Sequence, residues 1–272
     1  MTSHDVVGVL RRTLGEKRVG HSGTLDPDAT GLLLVGVGSV TRVLRFLTDL
    51  PKTYVGEVVL GTETNTLDAA GEVTARHDME GVTLEAARSA TAEHLTGPIL
   101  QVPPMVSALR VDGRRLHELA REGIEVERVA RPVTVHSFTV DATDDPMVLR
   151  IEVQCSSGTY VRTLAADLGR LLGGGAHLRA LRRTAIGSFS LADAQPLDAP
   201  VLLAPAEALR DYVGVDVDEA TAALVANGRF LERTSQYTGA GPWAVRGPNG
   251  ELLAVYETNG ERLKPAVVLA AL

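Results

Sequence analysis

A chain of 272 residues with 44% hydrophobic content can bury a sizeable core and is too apolar to be disordered; the length suits one large domain plus a small one. No uninterrupted apolar run approaches the ~18 residues of a membrane span, and a single cysteine, Cys155, excludes an internal disulfide. The net charge of −7 argues against a uniformly basic nucleic-acid binder, but the charge is partitioned: residues 160–190 hold five arginines and one acid, whereas 57–93 and 191–227 are strongly acidic.

In chain order, Ser3 is placed to cap a helix whose apolar face is Val6, Val7, Leu10 and Leu14, with Gly15 as its stop. GHSGTLDPDATG (20–31) follows as a loop leading into a strand near 32–37. Residues 40–48 read as a helix, KTYVGEVVLG (52–61) as a strand, and NTLDAAGEVT (65–74) as a turn into a short strand. Thr83 caps a helix that runs to Leu95 and is stopped by Gly97. A proline-rich loop and an extended run cover 98–113, and RRLHELAREG (114–123) reads as a basic amphipathic helix. Segments 131–143 and 146–155 alternate and are expected to pair as antiparallel strands. Residues 159–173 form a helix with Leu164, Leu168, Leu171 and Leu172 inward, and an extended HLRALRRTAIGSFSL follows. Beyond Leu209 come an acidic run, a helical EATAALVANGR, a hairpin around Asn249-Gly250 and a closing strand KPAVVLAAL. This places a domain boundary at 212/213. The glycines at 173–175 are not a phosphate loop, because no Gly-Lys-Ser/Thr follows.

The chemistry-bearing residues cluster in a few stretches. Asp26 precedes Pro27, which biases it away from helical geometry, and Gly20 and Gly23 allow a tight backbone or close approach of a ligand. A lone Leu-Asp-Pro is more often a solvated turn than a site. Tyr54 beside Lys52 is by itself an ordinary strand aromatic, and Tyr160 and Arg162 open a helix after a glycine turn. Seven histidines are scattered without CxxC, HxH or HExxH, so no metal site is expected, and no serine or cysteine nucleophile with a histidine partner is evident. MTSHDVVGVLRR lacks the pattern of a signal peptide, and a cytoplasmic protein is expected.

Taken together, GHSGTLDPDATG, KTY, GTETNTLDAAG, PPMVSALRVDGRRLHELAREG and CSSGTYVRTLAADLG…GGGAHLRALRRT occur in the order seen in the bacterial TruB-type tRNA pseudouridine synthases, which this chain resembles over nearly its whole length. The resemblance implies an α+β pseudouridine-synthase fold: a mixed, largely antiparallel central sheet flanked by helices and loops (1–212), and a small PUA-like RNA-binding β domain (213–272). It implies isomerisation of uridine 55 in the TΨC loop of tRNA, with no cofactor, no metal, no required protein partner and no membrane, by a monomer. Asp26 matches the catalytic aspartate, Arg162 the arginine paired with it, and Tyr54 the tyrosine on which uracil stacks. His21 matches the histidine that supports the flipped-out substrate, and Tyr160 and Leu181 match pocket residues. Candidate RNA contacts are Lys52, Arg110, Arg114, Arg115, Arg121 and Arg182. Two rival readings are a guide-RNA-dependent enzyme of the dyskerin type and a tRNA-folding chaperone. Two departures stand out. Thr2-Ser3 follow Met1 directly, without the usual short strand and Lys-Pro-x-Gly turn, so that strand is expected to be missing. Val106 stands where an aromatic is common.

Overall fold

The computed structural model describes residues 1–107, 109–111 and 113–269; the side chains of Arg110, Arg115 and His117 lie outside that description. The chain packs as two units. One gathers Met1–Pro27, Leu33–Leu50 and Gly187–Leu272, the other Asp28–Leu32 and Pro51–Ile186. This division does not follow the 212/213 boundary, since 187–212 belong to the same unit as the residues after them.

The second unit is built on an antiparallel sheet. Strand Ala176–Ile186 pairs with Lys52–Leu60, which pairs with Val148–Cys155, then Arg131–Ala142, then Gly97–Gln101. A two-residue strand, Thr30–Gly31, adds to Ala176–Ile186 in parallel. Alternation decides what each face carries. Val58, Val153, Ile151, Val140 and Leu178 point into a core covered by helices Leu84–His94 and Val161–Leu171 through Ala87, Leu164, Ala165 and Leu168. Thr83 caps the first helix as expected, accepting from the Ala86 N–H at 3.2 Å. In the second, Leu164 and Leu168 are fully buried but Leu171, its last residue, is 44% exposed. The expected helix over 114–123 is short, Leu116–Arg121, and two-residue strands Arg110–Val111 and Arg114–Arg115 precede it.

In the first unit, helix Ser3–Leu14 is capped by Thr2, not Ser3. Thr2 and Asp5 form a reciprocal capping box, and Gly15 ends the helix in the left-handed region at φ 63°. Val7 and Leu10 pack on Val19, in the strand Val19–His21 that pairs antiparallel with Val35–Val37. Of the strand expected over 32–37 only Val35–Val37 forms, while a separate two-residue strand, Thr30–Gly31, precedes it in the other sheet. After residue 212 a five-stranded sheet runs in the order Val213–Asp216, Trp243–Arg246, Leu252–Asn259, Arg262–Val268, Leu231–Glu232, with helix Glu219–Ala226 beside it. Its core is Trp243, Tyr256, Leu263, Val245 and Val225. The Asn249-Gly250 turn sits where expected, with Gly250 at φ 77°. The expected closing strand is Arg262–Val268; residues 270–272 lie outside the described residues.

Candidate active site

The acid of the loop is set from its main chain. Ser3, left free by the Thr2 cap, is buried, and its hydroxyl accepts from the Leu25 N–H at 2.9 Å. One residue of the helix's first turn thus pins the residue before Asp26. Asp26 itself is half-buried, and Pro27 follows it. Gly23 takes φ 119°, a conformation that favours glycine, which answers why the loop needs that residue. His21 ends the strand Val19–His21 opposite Val35, half-buried, and the adjacent Ser22 is fully buried, its N–H donating to Leu34 O at 3.0 Å.

At the exit of the loop, in the second unit, Gly31 has φ 106°, and a Cβ there would lie 2.1 Å from the Arg183 carbonyl oxygen. Only glycine lets Thr30–Gly31 approach strand 176–186 so closely. Leu32 then donates to Arg183 O at 2.8 Å and accepts from Arg183 Nε at 2.8 Å, and the arginine is 1% exposed. Arg183 is a structural clamp on this segment.

Arg162 is the other buried arginine, 4% exposed. Nη1 donates to Thr66 O at 3.0 Å and pairs with Asp68 Oδ2 at 3.1 Å, while Nη2 donates to Val106 O at 3.0 Å. Sequence reasoning missed Asp68, although GTETNTLDAAG was singled out, because an acid in a turn carries no mark of its partner. The turn is built to present it. Thr66 Oγ1 donates to Asp68 Oδ1 at 2.6 Å and the Ala70 N–H donates to the same oxygen at 3.1 Å. Leu67 holds φ 64°, unusual for a side chain of its kind. A Cβ on Gly71 would fall 2.2 Å from Thr66 Oγ1. The turn is also tied to strand 176–186, since Leu178 N donates to Leu67 O and Ala69 N to Leu178 O.

Helix 161–171 starts without a side-chain cap. Gln101, 2% exposed, supplies the missing order: its Oε1 accepts from Tyr160 N–H at 2.7 Å and its Nε2 donates to Tyr160 O at 3.1 Å. This amide therefore sets the entry angle of the helix two residues before Arg162. Gln101→Leu keeps the volume and leaves a buried N–H unpaired. The expected loss is about 1–3 kcal/mol with a slower single turnover, and urea unfolding together with rapid-quench rates checks it. Unchanged stability would remove Gln101 from this role.

Tyr54 lies on strand 52–60 between Val153 and Arg183 and packs on the core, half-buried. Leu181 stands opposite Gly56, on the same face of the sheet as Tyr54, and also packs on that core. Arg182 stands opposite Val55, so alternation sends it to the other face, away from Tyr54 and Leu181. On that other face Arg179 pairs with Glu57 at 2.9 Å. Arg182 is exposed there, so it does not share a face with Tyr54 and Leu181. Lys52, also expected at the RNA surface, is 5% exposed; it is a buried residue of strand 52–60 rather than a surface phosphate contact.

A cavity of about 400 Å³ is lined by Asn65, Thr66, Met105, Val106, Arg121 and Ile124 among others. Thr66 and Val106 are the residues whose carbonyls accept from Arg162, so the guanidinium joins two segments of its wall. Arg121 is exposed at its rim, whereas Arg114, also exposed, is paired with Glu122. Arg110 and Arg115 pair through their backbones, but their side chains lie outside the described ones. Val106 occupies the wall with its carbonyl engaged. Cys155 is 1% exposed, and burial pushes its thiol up to about 11, which makes it inert as a nucleophile.

A family model described as TruB family pseudouridylate synthase (N terminal domain) matches residues 11–161. Models described as tRNA pseudouridylate synthase B C-terminal domain and tRNA Pseudouridine synthase II, C terminal, match 162–212 and 212–270. Among curated proteins, the tRNA pseudouridine synthase B of Streptomyces coelicolor is 46% identical over 98% of this chain and 93% of its own length. Those of Bacillus cytotoxicus and Mycobacterium bovis are each 42% identical, over 99% of this chain and 94% and 92% of theirs. Among solved structures, one described as an H/ACA RNP bound to a substrate RNA containing 2'-deoxyuridine superposes with TM-score 0.69 at 21% identity, covering 100% of this chain and 82% of that one. A Cbf5-Nop10-Gar1 complex gives TM-score 0.67 at 22%, covering 99% and 82%. At such identities the likeness shows the fold, and it bears out the expected pseudouridine-synthase architecture.

Proposed function

The chain belongs to the TruB family of pseudouridine synthases, and from that premise we propose that it isomerises uridine 55 in the TΨC loop of tRNA, with Asp26 as the attacking carboxylate. The observation that carries the reading is the buried Arg162 guanidinium, pinned by Asp68, Thr66 and Val106 at the wall of a cavity large enough for a nucleobase. The reaction breaks the bond between N1 of uracil and C1′ of ribose and forms one between C5 and C1′. The proton leaving C5 is balanced by one gained at N1, so no electrons are transferred overall. A group that can bond covalently and leave again suits this, and an ionised carboxylate does so. The uridine must leave its loop first, at a cost of a few kcal/mol. Stacking on Tyr54 offsets ~1–3 kcal/mol of that. His21, Tyr160 and Leu181 complete the proposed base site, from which water has to be excluded while the uracil is detached.

We assign the RNA grip to Arg121 and Arg114, with Arg110 and Arg115 on the same segment. Residues 213–272 remain a PUA-like RNA-binding domain in this reading. The enzyme works as a cytoplasmic monomer; among the described residues no helix is long and apolar enough to cross a membrane.

Incubation of unmodified tRNA transcript with the purified chain tests the assignment. Tritium should leave C5-labelled uridine without any guide RNA, and mapping should place the product at position 55. A requirement for guide RNA, or product elsewhere, would overturn it. The grip is tested separately by salt. Log affinity falls with log salt at roughly −0.7 to −0.9 per neutralised phosphate. Arg114→Ala with Arg121→Ala should flatten the slope by about 1.5, and an unaltered slope removes both from the phosphate contacts.

A further inference from the structure

The three glycines at 173–175, which form no phosphate loop, and the histidine that follows them have no part in the proposed base site. Gly173 comes just after helix Val161–Leu171 with φ 84°, but the next two glycines answer to space. A Cβ on Gly174 would stand 2.6 Å from Met79 Sδ, and one on Gly175 would stand 2.3 Å from Glu63 Cγ. Gly61 N–H donates to Gly175 O at 2.8 Å, and Gly61 O accepts from the His77 N–H at 2.9 Å. What lies against the glycines is therefore the hairpin of strands Thr62–Thr64 and Val73–Arg76, and its turn carries Asp68.

His177 fastens the same hairpin. It is 9% exposed, and its Nδ1 stands 2.8 Å from Thr62 O. A carbonyl only accepts, so Nδ1 carries the proton and donates it. On the next residue of the hairpin, the Glu63 carboxylate meets His77 Nε2 at 2.7 Å, which holds the glutamate stem beside Gly175. Leu178 then bonds to Leu67 O and to the Ala69 N–H, on either side of Asp68. Strand Ala176–Ile186 thus grips the hairpin at its base through His177 and at its turn through Leu178. The helix that carries Arg162 runs into this strand through the three glycines. One short connection therefore joins the arginine's helix to the seat of its partner. Arg162 Nη1 reaches Asp68 Oδ2 at 3.1 Å and Thr66 O at 3.0 Å only where that seat places them.

We propose that His177 is a positioning residue for the reaction: with Gly174 and Gly175 it seats the hairpin, and so sets where Asp68 and Thr66 meet the Arg162 guanidinium. This role presupposes the proposed isomerisation and deepens it. His177 acts through Asp68 and not on the uridine.

His177→Leu removes the donor, and His177→Asn returns an amide N–H near the place of Nδ1–H. Backbone amide exchange over 65–71 should quicken about tenfold with leucine and return toward wild type with asparagine, while helix Leu84–His94 exchanges as before. At saturating tRNA the leucine variant should react about ten- to hundredfold more slowly in a single turnover. Its tRNA affinity should be unchanged, and asparagine should recover most of the rate. In an Asp68→Asn background His177→Leu should add no further slowing, because both changes act through one contact. Gly175→Ala should reproduce the leucine effects, and adding Glu63→Ala, which vacates the space the new methyl needs, should relieve them. Wild-type exchange and rate in His177→Leu would overturn the role, as would full slowing in the Asp68→Asn background. Faster exchange throughout the chain would overturn it too, since His177 would then support the fold in general. If wild type isomerises no uridine, the proposed reaction fails, and exchange over 65–71 alone decides whether His177 seats the turn.

Discussion

Asp26→Asn is expected to abolish pseudouridine formation while tRNA affinity changes by less than tenfold, or about 1.4 kcal/mol. The substitution keeps size and polarity but removes the charge and the ability to form and release an ester-like bond. The loop should survive it, because Ser3 Oγ still holds the Leu25 N–H and Gly23 still supplies the positive φ. Tritium release measures turnover, and filter binding measures affinity. Substantial residual turnover would sink the nucleophile assignment. A loss of affinity as large as the loss of rate would mean that Asp26 builds the site rather than reacting in it.

Arg162→Met carries the second large effect, on stability as well as rate. The variant strips partners from the Thr66 and Val106 carbonyls and leaves the Asp68 carboxylate without its cation. Breaking a buried ion pair from one side costs ~3–5 kcal/mol. The lower end is expected here, since the Asp68 side chain is 23% exposed and keeps Thr66 and Ala70 as donors. Arg162→Lys retains the charge but not the planar fork that reaches Thr66, Asp68 and Val106 together, so it should fall between methionine and wild type. Combining Arg162→Met with Asp68→Asn should cost less than the sum of the single changes by ~1 kcal/mol or more, because both remove one interaction. Urea unfolding of the four proteins gives the cycle, and strict additivity would show that the pair contributes no coupling. Under conditions where each variant is folded, single-turnover rates should still be strongly reduced for methionine and partly recovered for lysine. Equal rates for lysine and methionine would mean that charge at this position does not matter to the reaction.

The secondary structure was legible wherever the signal is local. Alternation in 131–142 and 148–155 marked a ladder because one face meets a core and the other water. Thr83 and Asn249-Gly250 marked a cap and a turn because their chemistry acts within four residues. The site residues were legible as a family likeness and only weakly as isolated residues: Asp26 before a proline looks like many turns.

What the sequence by itself determined was therefore the inventory: an α+β chain, a glycine-framed acid, an Arg162 at the start of a helix after a glycine turn. Tertiary structure alone decided the partners and the directions. Asp68 meets Arg162 across 94 residues and Gln101 meets Tyr160 across 59, distances at which no local pattern constrains the pairing. Ser3, read as a cap, holds Leu25 because the capping box of Thr2 leaves its hydroxyl unoccupied. Three arginines in five residues of one strand end in three different places. Arg179 is paired with Glu57, Arg182 is exposed on the far face, and Arg183 is buried against Leu32. Two register shifts in that strand, between Leu178 and Ala180 and between Arg183 and Ala185, reset its alternation. A bulge adds one residue and turns every later side chain to the opposite face, and it is specified by the strand's neighbour rather than by the strand.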